Sequence, residues 1–141
     1  MIRHLLISII LISCLLSQEI ETFVVNKNID ISESFTFTIK IKDIDMDPEV
    51  DLSPMLDNFS VIIGPNIGSE YKFINGKKST SRSISWTIVA QKVGKLKIPK
   101  LEVILGGKKY FTDEVTMNVS KKTIDEAIGD MFLKIEVSDL D

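Results

Sequence analysis

Five acidic residues at alternate positions, Asp43, Asp45, Asp47, Glu49 and Asp51, form the densest set of potential ligands in the chain. Carboxylates spaced in this way supply oxygen ligands in calcium-binding loops. Counted as an EF-hand loop from Asp43, the segment fails twice. Pro48 stands where the sharp turn needs a glycine, and Pro54 stands where a bidentate glutamate closes the cage. The expectation is a solvated acidic loop bounded by prolines, with calcium between tandem extracellular domains as the alternative.

Nucleophilic catalysis by a Ser-His-Asp or Cys-His set needs a histidine beside the nucleophile. The single histidine, His4, and the single cysteine, Cys14, both fall in an apolar N-terminal segment. Beyond it, a zinc site built on His or Cys is excluded. The segment Gly64-Pro65-Asn66-Ile67-Gly68 lacks the Gly-Lys-Ser/Thr ending of a phosphate loop. A glycosidase-type carboxylate pair needs a cleft between its two groups, and a domain this small has little room for one. The chain is therefore expected to be no enzyme, with no cofactor and no metal. Its 17 basic and 20 acidic residues give a net charge of −3, which argues against a nucleic-acid partner.

The N-terminal segment has the layout of an export signal. Arg3 and His4 precede an apolar run from Leu5 to Leu16, too short to span a bilayer comfortably. Ser17 is a small residue at a cleavage point before Gln18, so residues 1–17 are expected to be a signal peptide. Leu11-Ile12-Ser13-Cys14 also fits a lipobox, in which Cys14 would carry the lipid. Against lipidation of Cys14, Leu15 and Leu16 continue the apolar run, as they would if the cysteine were filler.

Residues 18–121 read as strand after strand. Ile20 to Val25 is a short strand, and Asn26-Lys27-Asn28 a turn. Phe35, Phe37, Ile39 and Ile41 alternate with Thr36, Thr38 and Lys40, a period of two that buries one face. Phe59 to Ile63 is the next strand, ended by Gly64-Pro65. Asn75-Gly76 tolerates positive φ at both positions and is the strongest hairpin signal. Ile84, Trp86 and Ile88 alternate with Ser83, Ser85 and Thr87. Leu96 and Ile98 follow the Gly94 turn; Leu101, Val103 and Leu105 lead to a second tight hairpin at Gly106-Gly107. Val115, Met117 and Val119 close the set.

The core is expected to contain Phe35, Phe37, Ile39, Phe59, Trp86, Ile88, Ile98, Val103 and Val115. Trp86, centred between Ile84 and Ile88, reads as core rather than as a sugar platform. Short strands separated by turn signals predict an all-β, immunoglobulin-like antiparallel sandwich, although a closed barrel would give similar alternation. With only one cysteine, no internal disulfide can hold it.

The tail changes character. Thr123-Ile124-Asp125-Glu126 is a capping-box pattern, and Gly129 ends a short helical turn within a linker at residues 122–130. Residues 131–141 read as the first strand of a truncated second domain.

An ordered set of short motifs now carries a resemblance. Asp57-Asn58-Phe59-Ser60-Val61-Ile62-Ile63-Gly64-Pro65 is followed by Ile74-Asn75-Gly76-Lys77 and a Ser-rich strand to Trp86. Gly94 through Ile98-Pro99 comes next, then Val103 through Gly107, Lys108, Lys109 and Tyr110. In order and spacing this resembles the N-terminal domain of the BatD oxygen-tolerance (aerotolerance) family. Met131-Phe132-Leu133-Lys134 resembles the opening of that family's next repeat.

The resemblance implies an exported protein with tandem immunoglobulin-like domains outside the cytoplasmic membrane and a C-terminal transmembrane helix. It also implies assembly with proteins that carry von Willebrand factor A domains. This chain lacks the later domains and that helix, so membrane association is expected through regions it does not contain or through a lipid anchor, and the chain is expected to be a fragment. The expected function is a scaffold or protein-interaction module in the periplasm or another extracytoplasmic compartment, acting through an exposed edge or hairpin. The alternative is a carbohydrate-binding sandwich of an exported enzyme or adhesin, which usually presents several exposed aromatics on one face.

Overall fold

The computed structural model describes residues 18–121. The leader with Cys14, the helical turn within 122–130 and the strand within 131–141 lie outside the described residues.

Ten strands follow one another: β1 (Ile20–Val24), β2 (Asn28–Asp30), β3 (Ser34–Lys42), β4 (Glu49–Val50), β5 (Phe59–Ile74), β6 (Lys77–Ala90), β7 (Gly94–Ile98), β8 (Glu102–Leu105), β9 (Lys108–Phe111) and β10 (Val115–Ser120). A single 3-10 turn, Ser53–Met55, interrupts them among the described residues. The strands form one four-stranded sheet, β1-β3-β6-β5, and two three-stranded sheets, β2-β10-β7 and β4-β8-β9. The pairings are antiparallel apart from β2 with β10, which is parallel.

Period-two patterning places the core. β3 and β6 face each other in the register Phe35↔Ile88, Phe37↔Trp86 and Ile39↔Ile84, so the apolar members of both strands share one side. The two smaller sheets contribute Leu96, Ile98, Val103, Leu105, Val115 and Met117 to the same buried cluster. The result is an all-β, sandwich-like packing of the large sheet against the small ones. Phe35, Phe37, Ile39, Phe59, Trp86, Ile88, Ile98, Val103 and Val115 are all buried. Each such side chain removed from water contributes about 1.5–3 kcal/mol before entropy is charged against it. Phe37 stacks on Trp86, with ring centroids 6.2 Å apart and planes at 24°.

Buried backbone is satisfied where the sheets turn. Thr112 is buried, and its hydroxyl accepts the Leu101 N–H at 2.9 Å while its own N–H donates to the Leu101 carbonyl at 3.0 Å. This clasp ties the start of β8 to the end of β9.

Three local expectations are corrected. Gly64-Pro65 does not end the strand: β5 runs through it to Ile74. Two register shifts against β6, between Val61 and Ile63 and between Ile63 and Asn66, absorb extra residues as bulges. Pro65 is tolerated because β5 lies at the edge of its sheet, where a missing N–H need leave no ladder bond unmade. The Gly64–Pro65 bond is cis and Gly64 has φ +128°. A Cβ on Gly64 would lie 2.8 Å from Trp86 Cδ1, so the absent side chain lets the backbone lie against the indole.

Asn28 is not only turn: it opens β2, its N–H donating at 3.0 Å to Asn26 Oδ1. The acidic loop, expected to run unstructured from Asp43 to Asp57, also carries more order than that, since it contains β4 and the Ser53–Met55 turn.

Candidate interaction surface

The acidic loop is met by a cation of the protein itself. Arg82 of β6 lies opposite Ile41 of β3 and Ser69 of β5, at the end of the core. Its guanidinium stands 3.8 Å from an Asp45 carboxylate oxygen and 3.6 Å from one of Asp47. One of its terminal nitrogens donates to the Ser69 hydroxyl. Asp51 accepts from both the N–H and the hydroxyl of Ser53, at 3.0 and 2.5 Å, which lowers its carboxyl below the usual range. Among the described residues no three His, Cys, Asp or Glu side chains gather closely enough to hold a metal ion. Asp43, Asp45, Asp47, Glu49 and Asp51 are thus not brought together around a common point.

Past Arg82 the β5–β6 hairpin leaves the body of the domain. The last β3 partner of β6 is Ser81, paired with Lys42, and the Thr80 carbonyl accepts the Asp43 N–H at 2.7 Å, so Lys77–Ser79 are paired only with β5. Residues 71–79 are all exposed. Asn75 and Gly76 close the arm with φ of +53° and +77°, the left-handed pair that a tight two-residue turn requires.

The arm is apolar where solvent reaches it. Ile67, Tyr71 and Phe73 lie opposite Ile84, Thr80 and Lys78. They therefore continue the sheet face that carries Ile84 and Trp86 into the core. Beyond the core nothing among the described residues covers that face: Phe73 is 75% exposed and Tyr71 55%. Lys78 Nζ stands 5.1 Å from the centroid of the Tyr71 ring. Ile62 and Ile63, thrown outward at the bulges, and Ile74 at the tip are exposed as well.

The opposite face of the arm is polar and ion-paired. Glu70 bridges Lys40 of β3 and, at 3.0 Å, Lys72 of its own strand. Hydrogen bonding by Lys40 first and Lys72 second holds the Glu70 carboxyl down at about 2. Lys42 donates to Glu21 and Glu19, and both contacts raise it above the ordinary lysine range. These cations are already matched by carboxylates of the same face, which leaves little charge for an anionic ligand.

The geometry of the arm suits binding. A sheet edge offers unpaired N–H and C=O groups, and the exposed aromatics beside it offer area to bury. Sequence reasoning located this hairpin from Asn75-Gly76 but missed Tyr71, Phe73 and Arg82. The alternation of the first two was visible in the sequence, but their exposure was not, because it depends on where the pairing of β6 with β3 ends.

The exposed aromatics do not line up as a single platform. Phe23 of β1 lies opposite Thr38 on the outer face of the large sheet, while Phe111 belongs to β9 in another sheet. Trp86 is 4% exposed and has no face to offer a sugar.

A family model described as the BatD DUF11 like domain matches residues 22–119, from β1 through β10. No curated protein matches the chain, and no solved structure does.

Proposed function

The chain belongs to the BatD family, which is associated with aerotolerance, and on that premise we propose that it is an exported, non-enzymatic module that holds partner proteins in an envelope complex. The observation that carries this reading is the β5–β6 arm, a projecting edge with Tyr71 and Phe73 exposed beside it. Such an edge recruits a partner by strand addition, in which main-chain bonds supply affinity and flanking side chains supply choice. The architecture we assign is an immunoglobulin-like sandwich, supported by the shared core between the large and small sheets. The module works outside the cytoplasmic membrane, delivered there by the N-terminal leader. Its partner is an envelope protein with a von Willebrand factor A domain, the association that the family resemblance implies.

The test shortens the arm without touching the core. Lys72 and Ser79 already face each other in register, as do Ile74 and Lys77 next to the turn. Removing Phe73, Ile74, Lys77 and Lys78 while keeping Asn75-Gly76 therefore closes the hairpin on a pair of the same type. In full-length protein cross-linked in cells, the shortened form is expected to lose the von Willebrand factor A partner while melting like the parent. Equal recovery of that partner by both forms overturns the assignment of the arm. Failure of both forms to recover it, with binding of a polysaccharide by the isolated domain, replaces the reading with carbohydrate recognition.

A further inference from the structure

The free edge of β5 is self-complementary, and we infer that two copies of this chain pair through it, antiparallel, about a twofold axis at Tyr71. This names one partner for the arm and rests on the reading of the arm as an interaction surface.

The lower part of the edge is protected and the upper part is not. Both register shifts, Gly64 and Pro65 fall between Val61 and Asn66, and such bulges disrupt further pairing. From Ile67 to Ile74 the register with β6 is unbroken, and the stretch contains no proline. In a tight two-residue hairpin the closing pair, here Ile74 and Lys77, exchanges both of its backbone bonds. Alternate residues of β5 then turn their backbone groups the other way, so Ile67, Ser69, Tyr71 and Phe73 present theirs to the open edge.

Charge selects the register. Edge-facing residues must meet edge-facing residues, which limits where a twofold axis can fall. An axis at Glu70 or at Lys72 sets like charges directly opposite, which is destabilising. An axis at Ser69 or Phe73 puts no opposite charge across the joint from either, leaving only the contacts of Glu70 with Lys40 and Lys72 inside each chain. With the axis at Tyr71, Glu70 of each copy lies opposite Lys72 of the other, in the closely spaced kind of antiparallel pair. Tyr71 then exchanges both backbone bonds with its mate, and Phe73 does so with Ser69 across the axis.

The product is one continuous eight-stranded sheet made from two four-stranded ones. Because residues 71–79 project beyond the core, the two bodies stand at opposite ends of the joint and do not collide. The exposed rings of Tyr71 and Phe73 from both copies gather on one side of the joint. A symmetric interface of this kind is isologous: whatever one copy offers, the other accepts. Its small area places it among weak dimers.

Charge reversal and mixing test the inference on the full chain by sedimentation equilibrium. The wild-type chain is expected to dimerise at high micromolar concentration. Lys72→Glu, which leaves the Lys40–Glu70 pair in place, and Glu70→Lys are each expected to weaken the dimer about tenfold or more. Mixing the two variants restores complementarity at both pairs, so a heterodimer is expected, as is a homodimer of the double variant E70K/K72E. Melting curves of each variant report whether the domain remains folded. Monomeric wild-type protein, or variants that fold and fail to heterodimerise, overturns the inference. The arm's role toward an envelope partner survives that outcome if the shortened arm still abolishes cross-linking, and falls separately if it does not.

Discussion

Trp86→Ala removes the side chain that joins the two strands with the strongest alternation to the bulge of β5. The indole is 4% exposed, stacks on Phe37 at 6.2 Å and has the Gly64 backbone against it. Truncating a buried tryptophan costs about 3–5 kcal/mol, combining lost transfer energy with the cavity left behind. Of that, ~0.5–1.5 kcal/mol is the aromatic pairing with Phe37. A domain of ordinary stability holds about 5–15 kcal/mol in total, so the variant sits near the limit of folding at room temperature. Urea unfolding followed by circular dichroism is the assay, because Trp86 is the only tryptophan and its fluorescence leaves with it. The midpoint should fall with the slope unchanged. Gly64→Ala adds a cross-check. Alone it should cost at least ~1–3 kcal/mol, from backbone strain at φ +128° and from contact with the Ser85 carbonyl as well as from overpacking against the Trp86 ring. In the Trp86→Ala background part of that cost should vanish, giving a coupling of at least about 0.5 kcal/mol. A loss below about 1 kcal/mol for Trp86→Ala refutes the packing described and returns Trp86 to the surface.

Thr112→Val leaves the buried Leu101 N–H without its acceptor and should cost about 1–3 kcal/mol in the same melts. Carbon-detected NMR titration should find the Glu70 carboxyl ionised down to about pH 2. Because its folded value lies below the ordinary 4.5, the stability it contributes is present above 4.5 and lost as pH falls through about 2. Lys72→Met should move that titration upward, and an unchanged value would show that the pair does not form in solution. Added calcium should leave the melting temperature of the domain unchanged, and Asp45→Asn with Asp47→Asn should change stability by only about 0–1 kcal/mol. A calcium-dependent rise would show that the acidic loop binds the ion after all.

What was legible in the sequence is what period two can carry. β3 and β6 announce themselves because Phe35 to Ile41 and Ile84 to Ile88 alternate cleanly, and burial on one face follows from alternation alone. The hairpins at Asn75-Gly76 and Gly106-Gly107 are legible because left-handed backbone restricts the residues that can occupy them. β2 and β4 are not: strands of three and two residues have no period, and they exist through distant partners in β10 and β8. Gly64-Pro65 misled because proline lacks a donor, a fact that ends a central strand but need not end one at an edge. The partner of the acidic loop was hidden for a related reason. Arg82 reaches Asp45 and Asp47 only through the β3–β6 register, which sequence spacing does not specify. Exposure of Tyr71 and Phe73 depends on where β3 stops pairing, so these two looked like ordinary strand residues.

The most direct test of the proposed role is site-specific photo-cross-linking from within the arm. A photoreactive amino acid at Phe73 of the full-length protein, activated in intact cells, is expected to form a covalent adduct with a von Willebrand factor A domain protein of the envelope. The same group at Lys100, an exposed position between β7 and β8, should form none. An adduct from Lys100 with no adduct from Phe73, or no protein adduct from either, would contradict the account.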